Sequence, residues 1–457
     1  MQPEEPMAQP WTRLEEFAAD GDRRGAEELL LELPAGETAR AFANLQRDAQ
    51  RSTLALLAPG ASASVLELLP DAQAADLLDL LEPAAAAAIM NELPSDGQAD
   101  LLSLLAEDRA DVILANMEPE EARTARRLAA YPGDLAGGLM IAEFLHYPAH
   151  ATVQDVVDDI RAQSDRYASY DVQYAYVTAR DGRLVGVLAL RNLLLSAART
   201  PVRSLMIEKP LRVSAEATLD ELRAFFEEHP FVGVPVVADR GTLVGVVRRA
   251  NVLEALEGRS ESDHLKTQGI VGGEEFRTMP VLVRSRRRLA WLSVNIVLNL
   301  IAASVIALYQ ETLQAVIALA VFLPIISDMS GCSGNQAVAV SMRELTLGLI
   351  RPMDAVRVWL KEASVGLLNG AALGCLIAAA AWAWKGNLYL GAVVGAAMAI
   401  NTLVAVSLGG VVPLLLKRIR VDPALASGPI LTTVTDMCGF ALVLGIATAF
   451  LPWLTQS

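Results

Sequence analysis

Apolar and polar positions change their spacing several times along the chain, and each change marks a different kind of element. From about Trp11 to Ala130, leucines and alanines recur at helical intervals in short runs broken near Pro59, Pro70, Pro83, Pro94 and Pro119. LLPDAQAADLLDL, LEPAAAAAIMNE, LPSDGQADLLSL and MEPEEARTARRL repeat one scheme of about a dozen residues. Proline stands where a first helical turn tolerates it, acids follow near the positive helix end, and leucines supply the buried stripe. Short helices of this kind stack into a solenoid, so residues 11–130 are expected to form an acidic helical superhelix. A docking scaffold has the same pattern, and the pattern does not choose between the two.

YPGDLAGGLMIAEF, residues 131–144, ends the helical array with glycines and reads as a junction into extended chain. Two similar units follow: TVQDVVDDIRAQ with YAYVTARDGRLVGVLALRNLLLSA, then TLDELRAFFEEH with VGVPVVADRGTLVGVVRRANVLEAL. Each has an amphipathic helix, a β-branched strand, a glycine-containing turn, a second strand and another helix. The expected boundaries are 131–200 and 201–259. The stretch 252–276 is mixed in charge and predicts a connecting helix, assigned to 260–283.

Past the basic cluster Arg284, Arg286, Arg287 and Arg288 the pattern turns apolar. Residues 289–310 carry no charge and are long enough to span a bilayer. A second span begins after Glu311 and contains Pro324, Asp328 and SGCSGNQ; a third covers 363–384, a fourth lies within 386–416, and a fifth carries Asp436. Five crossings are expected in residues 284–457. Arg284 to Arg288, then Arg343, Arg351, Arg357 and Lys361, then Lys417, Arg418 and Arg420 fall on one side, against Glu311 and Lys385 on the other. The positive-inside rule therefore gives a cytoplasmic N-terminus and an outside C-terminus, with the soluble domains in the cytoplasm.

Composition agrees with a chain divided between water and lipid. It has 457 residues, 53% of them hydrophobic, and a mean hydropathy of +0.35. Of 38 basic residues 26 precede Arg284, but so do 46 of the 53 acidic ones, a net of −20 there against +5 after it. An acidic soluble part repels nucleic acid and attracts cations. The bland reading of those acids is solubility. Cys332, Cys375 and Cys438 all fall in apolar segments, which argues against a disulfide framework and fits a reducing cytoplasm. MQPEEPMAQPW is acidic and lacks an apolar run, so no signal peptide is expected.

The candidate chemistry lies in VDPALASGPILTTVTDMCG, residues 421–439. Asp436 sits inside an uncharged span, where burying a carboxylate costs roughly 2.5 to 3.5 kcal/mol by insertion scales unless it meets water, a cation or a partner. Helical spacing puts Thr432 and Gly428 on its face. An ion pathway is the default; a structural acid paired with an arginine, or one capping a broken helix, is the alternative. In PIISDMSGCSGNQAVA, Gly331 and Gly334 stand beside Asn335 and Gln336 at membrane depth. Irregular backbone there is tolerated only where it is buried or lines a cavity, and its freed carbonyls can coordinate a cation. Close helix packing is the other use of such glycines. His146, His150, His229 and His264 lie outside the spans and no HExxH occurs, so no enzyme is expected.

The tandem α/β units resemble a pair of CBS domains. In that family an aspartate at the start of the last helix often contacts the ribose of an adenosine phosphate. Asn192 and Asn251 occupy the matching positions and speak against a nucleotide cofactor. Over essentially its whole length the chain resembles an MgtE-type magnesium transporter: the acidic helices, YPGDLAGGLM, the CBS pair, the linking helix, RRRLAWL, the GNQ run and DPALASGPILTTVTDMCG come in the family's order. The expected architecture is multidomain, with an α-helical solenoid N-domain, tandem α/β CBS domains, a linking helix and a five-helix transmembrane domain.

The resemblance implies an inner-membrane homodimer with a pore between the protomers. It implies that Asp436 selects hydrated Mg2+ and that the cytoplasmic domains close the pore when magnesium is plentiful. Asp436, Thr432, Gly331, Gly334, Asn335 and Gln336 are the expected pore residues. The chain also departs from the family's pattern. Cys332 and Ser330 replace an asparagine and a glycine of a frequent GGNTGNQ, Asp328 is an additional acid, and Gly428 replaces an asparagine of some relatives. RRAN, Arg248 to Asn251, stands where relatives that sense Mg2+ are acid-rich. Regulatory cations are therefore assigned to Asp155, Asp158, Asp159, Glu227, Glu228, Glu254 and Glu257, with a solvated acidic face as the bland alternative. The rival functions are a coupled transporter of Co2+ or Ni2+ and a membrane-anchored CBS regulatory protein.

Overall fold

Helix starts recur every twelve residues through the N-terminal part: Arg23, Ala35, Arg47, Pro59, Asp71, Pro83, Ser95, Glu107 and Pro119 each open a helix of 8 to 10 residues. Pro59, Pro83 and Pro119 occupy the first helical turn, while Pro70 and Pro94 precede it as caps. The same repeat position supplies the core, since Phe42, Leu54, Leu66, Leu78 and Met90 are all at most 2% exposed. One short helix cannot bury such a residue alone. Helices two apart do so together, Pro59–Leu66 with Pro83–Met90 and Asp71–Leu80 with Ser95–Leu104.

The structure is a computed structural model, and it describes residues 9–168, 170, 173–277 and 279–455, without the side chains of 425 and 426. The leader question at MQPEEPMA lies outside the described residues. The chain divides into two units, Met1–Gly258 and Arg259–Ser457.

In the first unit the helical array is followed by two four-stranded sheets. One has the order β2 (Leu145–Pro148), β3 (Tyr174–Thr178), β4 (Leu184–Ala189), β5 (Ile207–Glu208); the other has β1 (Met140–Ile141), β8 (Leu243–Arg248), β7 (Gly233–Val237), β6 (Val213–Ser214). Each has one parallel pair, β2/β3 or β6/β7, beside an antiparallel hairpin, β3/β4 or β7/β8. The edge strands cross over. β1 precedes the first repeat yet closes the second sheet, and β5, past residue 200, closes the first. Both sit in the same short motif, Leu139-Met140-Ile141 and Leu205-Met206-Ile207. A boundary at 200/201 therefore cuts through shared sheets.

The linking helix is shorter than expected. Arg249–Thr267 is one helix continuous with the second sheet's last strand, but 268–277, 279 and 280 are not helical. Gly269, Gly272 and Gly273 have φ of 82°, 101° and 69°, a left-handed conformation that ends a helix and that side chains resist. The assigned 260–283 is thus the end of one helix, a glycine turn and the start of the next.

Among its described residues the second unit holds five long helices, labelled α1 (Val281–Leu308), α2 (Leu319–Thr346), α3 (Ala355–Lys385), α4 (Leu388–Arg418) and α5 (Pro423–Ala449). Among the described residues four, α1, α3, α4 and α5, contain stretches long and apolar enough to cross a membrane. α2 is as long as α1, 28 residues, but interrupts its apolar run with Asp328, Asn335 and Gln336. α4 is central, packing on α2, α3 and α5, while α1 lies along α5. Cys332, Cys375 and Cys438 are free thiols.

Candidate ion-conducting site

α5 runs unbroken through Pro429, with Thr433 Oγ donating to the Pro429 carbonyl at 2.7 Å. Asp422 caps its start by accepting from the Ala424 amide at 2.9 Å. Gly428, Thr432 and Asp436 therefore follow one helical face, as the spacing predicts. Asp436 is 8% exposed, while Thr432 and Gly428 are half-buried and a Cβ on Gly428 would meet nothing within 4 Å. The carboxylate accepts a hydrogen bond from Ser327 on α2. Among the described residues it has no salt bridge, so the arginine-paired alternative fails, and its mid-helix place excludes capping.

α2 overturns one expectation. Residues 331–336 are continuous α-helix, so no irregular backbone offers free carbonyls there. Gly334 serves packing: a Cβ would stand 2.9 Å from Leu431 and 3.0 Å from the Ala405 carbonyl. Gly409 on α4 meets the Gly334 carbonyl oxygen so closely that a Cβ would fall inside its van der Waals radius. Gly331 is buried with open space at its Cβ. What remains polar on α2 are side chains. Asp328, Cys332, Asn335 and Gln336 are exposed along one face, Cys332 four residues after Asp328 and the adjacent Asn335 and Gln336 three and four after Cys332.

The end of the linking helix and the glycine turn after it each meet the membrane helices through an ion-pair group. Lys266 Nζ lies 3.1 Å from Asp422, the cap of the helix that carries Asp436, and 3.8 Å from Asp263. Glu275, its side chain 4% exposed, pairs with Arg284 at 3.0 Å and with Arg288 on α1. Those bonds hold the Glu275 carboxyl below its ordinary range.

A family model described as MgtE, divalent cation transporter, matches residues 323–446, with the MgtE intracellular N domain at 33–134 and a CBS domain at 202–258. The magnesium transporter MgtE of Thermus thermophilus is 33% identical over 96% of this chain and 98% of its own length. The chain belongs to the MgtE family of magnesium transporters. The Bacillus subtilis magnesium transporter MgtE is 32% identical over 74% of each chain. A solved structure described as the cytosolic domain of the Mg2+ channel MgtE in complex with ATP matches at 30% identity, covering 54% of this chain and 99% of that one, with a TM-score of 0.48.

The expected regulatory acids do not converge in this MgtE-family chain. Among the described residues no three His, Cys, Asp or Glu side chains are placed to hold one metal ion. Asp155 closes a capping box with Thr152, and Asp158 accepts from Gln154 at 2.7 Å. Asp159 accepts from Tyr147 at 2.8 Å, Tyr167 at 3.2 Å and Gln163 at 2.5 Å. Burial and that carboxylate raise the Tyr147 phenol well above its usual range. Glu227 pairs with Arg223 at 2.8 Å. Glu228, Glu254 and Glu257 are exposed. The first three acids serve local structure, which sequence spacing cannot distinguish from ligation.

Other acids gather where the helical array meets the second sheet. Asp100 is pushed up to about 7 by burial and by Asp71, Asp96 and Glu254. Burial and Asp96 also raise Asp71. Asp96 accepts from Asn251 Nδ2 at 2.6 Å and lies 3.5 Å from Arg248, so RRAN contacts an acid of the array. Ser95 secures the same place, its amide and hydroxyl donating to Glu143 at 2.9 and 2.7 Å. The visible signal was Asp96 and Asp100 four apart on one helix, a repulsive pair. Ser327 had no such signal.

Proposed function

We propose that this magnesium transporter passes Mg2+ along the face of α5 that bears Gly428, Thr432 and Asp436. The observation that carries the reading is Asp436 itself: a carboxylate at 8% exposure in an apolar helix, its one described bond a serine hydroxyl. Mg2+ gives up its water reluctantly, so a carboxylate beside a wet path takes hydrogen bonds from the hydration shell without stripping it. A potential of 100 mV, negative inside, contributes about 4.6 kcal/mol to entry of a divalent ion, and no other energy source is required.

Five crossings follow if α2 crosses with the other four, its polar face turned from lipid. A second copy of the chain is the simplest cover for Asp328, Asn335 and Gln336, and two-fold symmetry would pair the two Asp436 carboxylates across the path. The distribution of Arg and Lys supports an inner-membrane protein with its N-terminus in the cytoplasm. Regulation is read as charge neutralisation around Asp71, Asp96, Asp100 and Glu254, relayed by the linking helix to Asp422 through Lys266. Asn251 is committed to Asp96, which disfavours a ribose contact there; the ATP complex of a relative's cytosolic domain stands on the other side.

Flux of Mg2+, Co2+ and Ni2+ into liposomes holding the purified chain, with and without proton or sodium gradients, tests the reading. Asp436→Asn keeps the shape and the serine bond but removes the charge, and charged hydrogen bonds are worth about 1.5–3 kcal/mol. Mg2+ flux should fall about ten- to a hundredfold. Parental flux in Asp436→Asn refutes the pathway and favours passive spans; flux that needs an imposed proton or sodium gradient favours the coupled transporter.

A further inference from the structure

Asn401 lies in the middle of α4, 0% exposed, and neither its Nδ2 nor its Oδ1 has a hydrogen-bond partner among the described residues. Its neighbour Thr402 is equally buried with an unpartnered hydroxyl. The face of α4 that carries them follows α2. Met398, one turn earlier, takes the Ser330 hydroxyl at 3.9 Å, and Ala405 and Gly409, in the following turns, meet Gly334. On the other side stands α5. A Cβ on Gly439 would be 2.7 Å from Asn401 Nδ2 and 3.5 Å from Ile326. Asn401 thus occupies the crossing of three helices. Ile326 adjoins Ser327 and Gly439 is three residues past Asp436, so the helix segments the amide lies between are the two that make the bond to the carboxylate.

A leucine has the same branched outline as this asparagine, with bulkier methyl ends, and would leave no polar atom unpaired. A buried orphan amide is a cost to the folded state, and polar groups at membrane depth mark function more often than packing. The amide faces α5 where Gly439 leaves the helix backbone bare. Its Nδ2 is a donor, and a helix carbonyl keeps a second lone pair, so a small rotation of α5 brings a backbone carbonyl near Gly439 into reach of the amide. The same rotation swings Asp436, less than one helical turn away.

We propose that Asn401 is a positioning residue for Asp436: by engaging the bare α5 backbone at Gly439 it sets the rotation of α5, and with it the cation selectivity, without touching the ion. This rests on the pathway reading of Asp436.

The test is full-length Asn401→Leu in liposomes, read as Mg2+ flux, as the Mg2+ to Co2+ flux ratio, and as melting temperature in detergent. Mg2+ flux should fall about tenfold and the ratio severalfold, while melting changes little, the loss of the orphan groups offsetting the bulk of the two methyls. Asn401→Ser, which keeps a donor and an acceptor, should hold the ratio nearer the parent. Gly439→Ala, which puts a methyl against the amide, should lower the ratio as Asn401→Leu does. A parental ratio in Asn401→Leu overturns the proposal and leaves Asn401 a costly filler. If that variant does not fold, a parental ratio in Gly439→Ala overturns it equally. Asp436→Asn in the same preparations separates the two ideas: if it conducts normally the pathway has failed, and if it alone loses flux only the role of Asn401 has failed.

Discussion

Asp100 allows the array–sheet junction to be tested by pH. Its carboxyl moves from 3.8 to about 7 on folding, driven first by burial and then by Asp71, Asp96 and Glu254. The folded state therefore holds this proton more tightly than the unfolded state. The contribution of this group to stability is greatest below about pH 4 and is lost as pH rises through about 7. At about 1.4 kcal/mol per unit the full cost is about 4 kcal/mol, of which about 2–3 kcal/mol appears between pH 5 and pH 8. Local opening of Ser95–Leu104 should become about a hundredfold easier over that interval. Hydrogen exchange of those amides in the full chain, corrected for intrinsic rates, reads it directly. Asp100→Asn removes the titrating group and should flatten most of the slope, leaving the variant more protected at pH 8 and little changed at pH 5. Millimolar Mg2+ should flatten the parent slope too if divalent ions neutralise this cluster. Equal slopes in parent and Asp100→Asn would refute the electrostatic account.

Other consequences are simpler to measure. Gly409→Ala forces a methyl onto the Gly334 carbonyl and should cost about 1–3 kcal/mol by overpacking despite alanine's better helix propensity, seen as a lower melting temperature in detergent. Asp159→Ala strips the partly buried Tyr147 hydroxyl of its partner and should destabilise the first sheet's unit by about 1–3 kcal/mol while leaving the Mg2+ dependence of flux unchanged. A shifted Mg2+ dependence in that variant would return Asp159 to the regulatory set.

The order of domains, the twelve-residue repeat, the paired α/β units and the isolated acid at 436 could all be read along the chain. Each depends on local periodicity, or on a charge whose cost in lipid needs no partner to be evaluated. The short linking helix was nearly legible, since three glycines mark its end, but only backbone geometry shows that they adopt positive φ. Tertiary contacts decided the rest. Gly334 packs and does not open the backbone because α4 brings Gly409 and Ala405 against it. Asp155 and Asp159 are occupied because a threonine and two tyrosines fold onto them. Asn401 of α4 meets Gly439 of α5, and Asp96 meets Asn251 from 155 residues away. Periodicity tells which face of a segment is buried; which side chain waits on the far side is set only when distant segments meet.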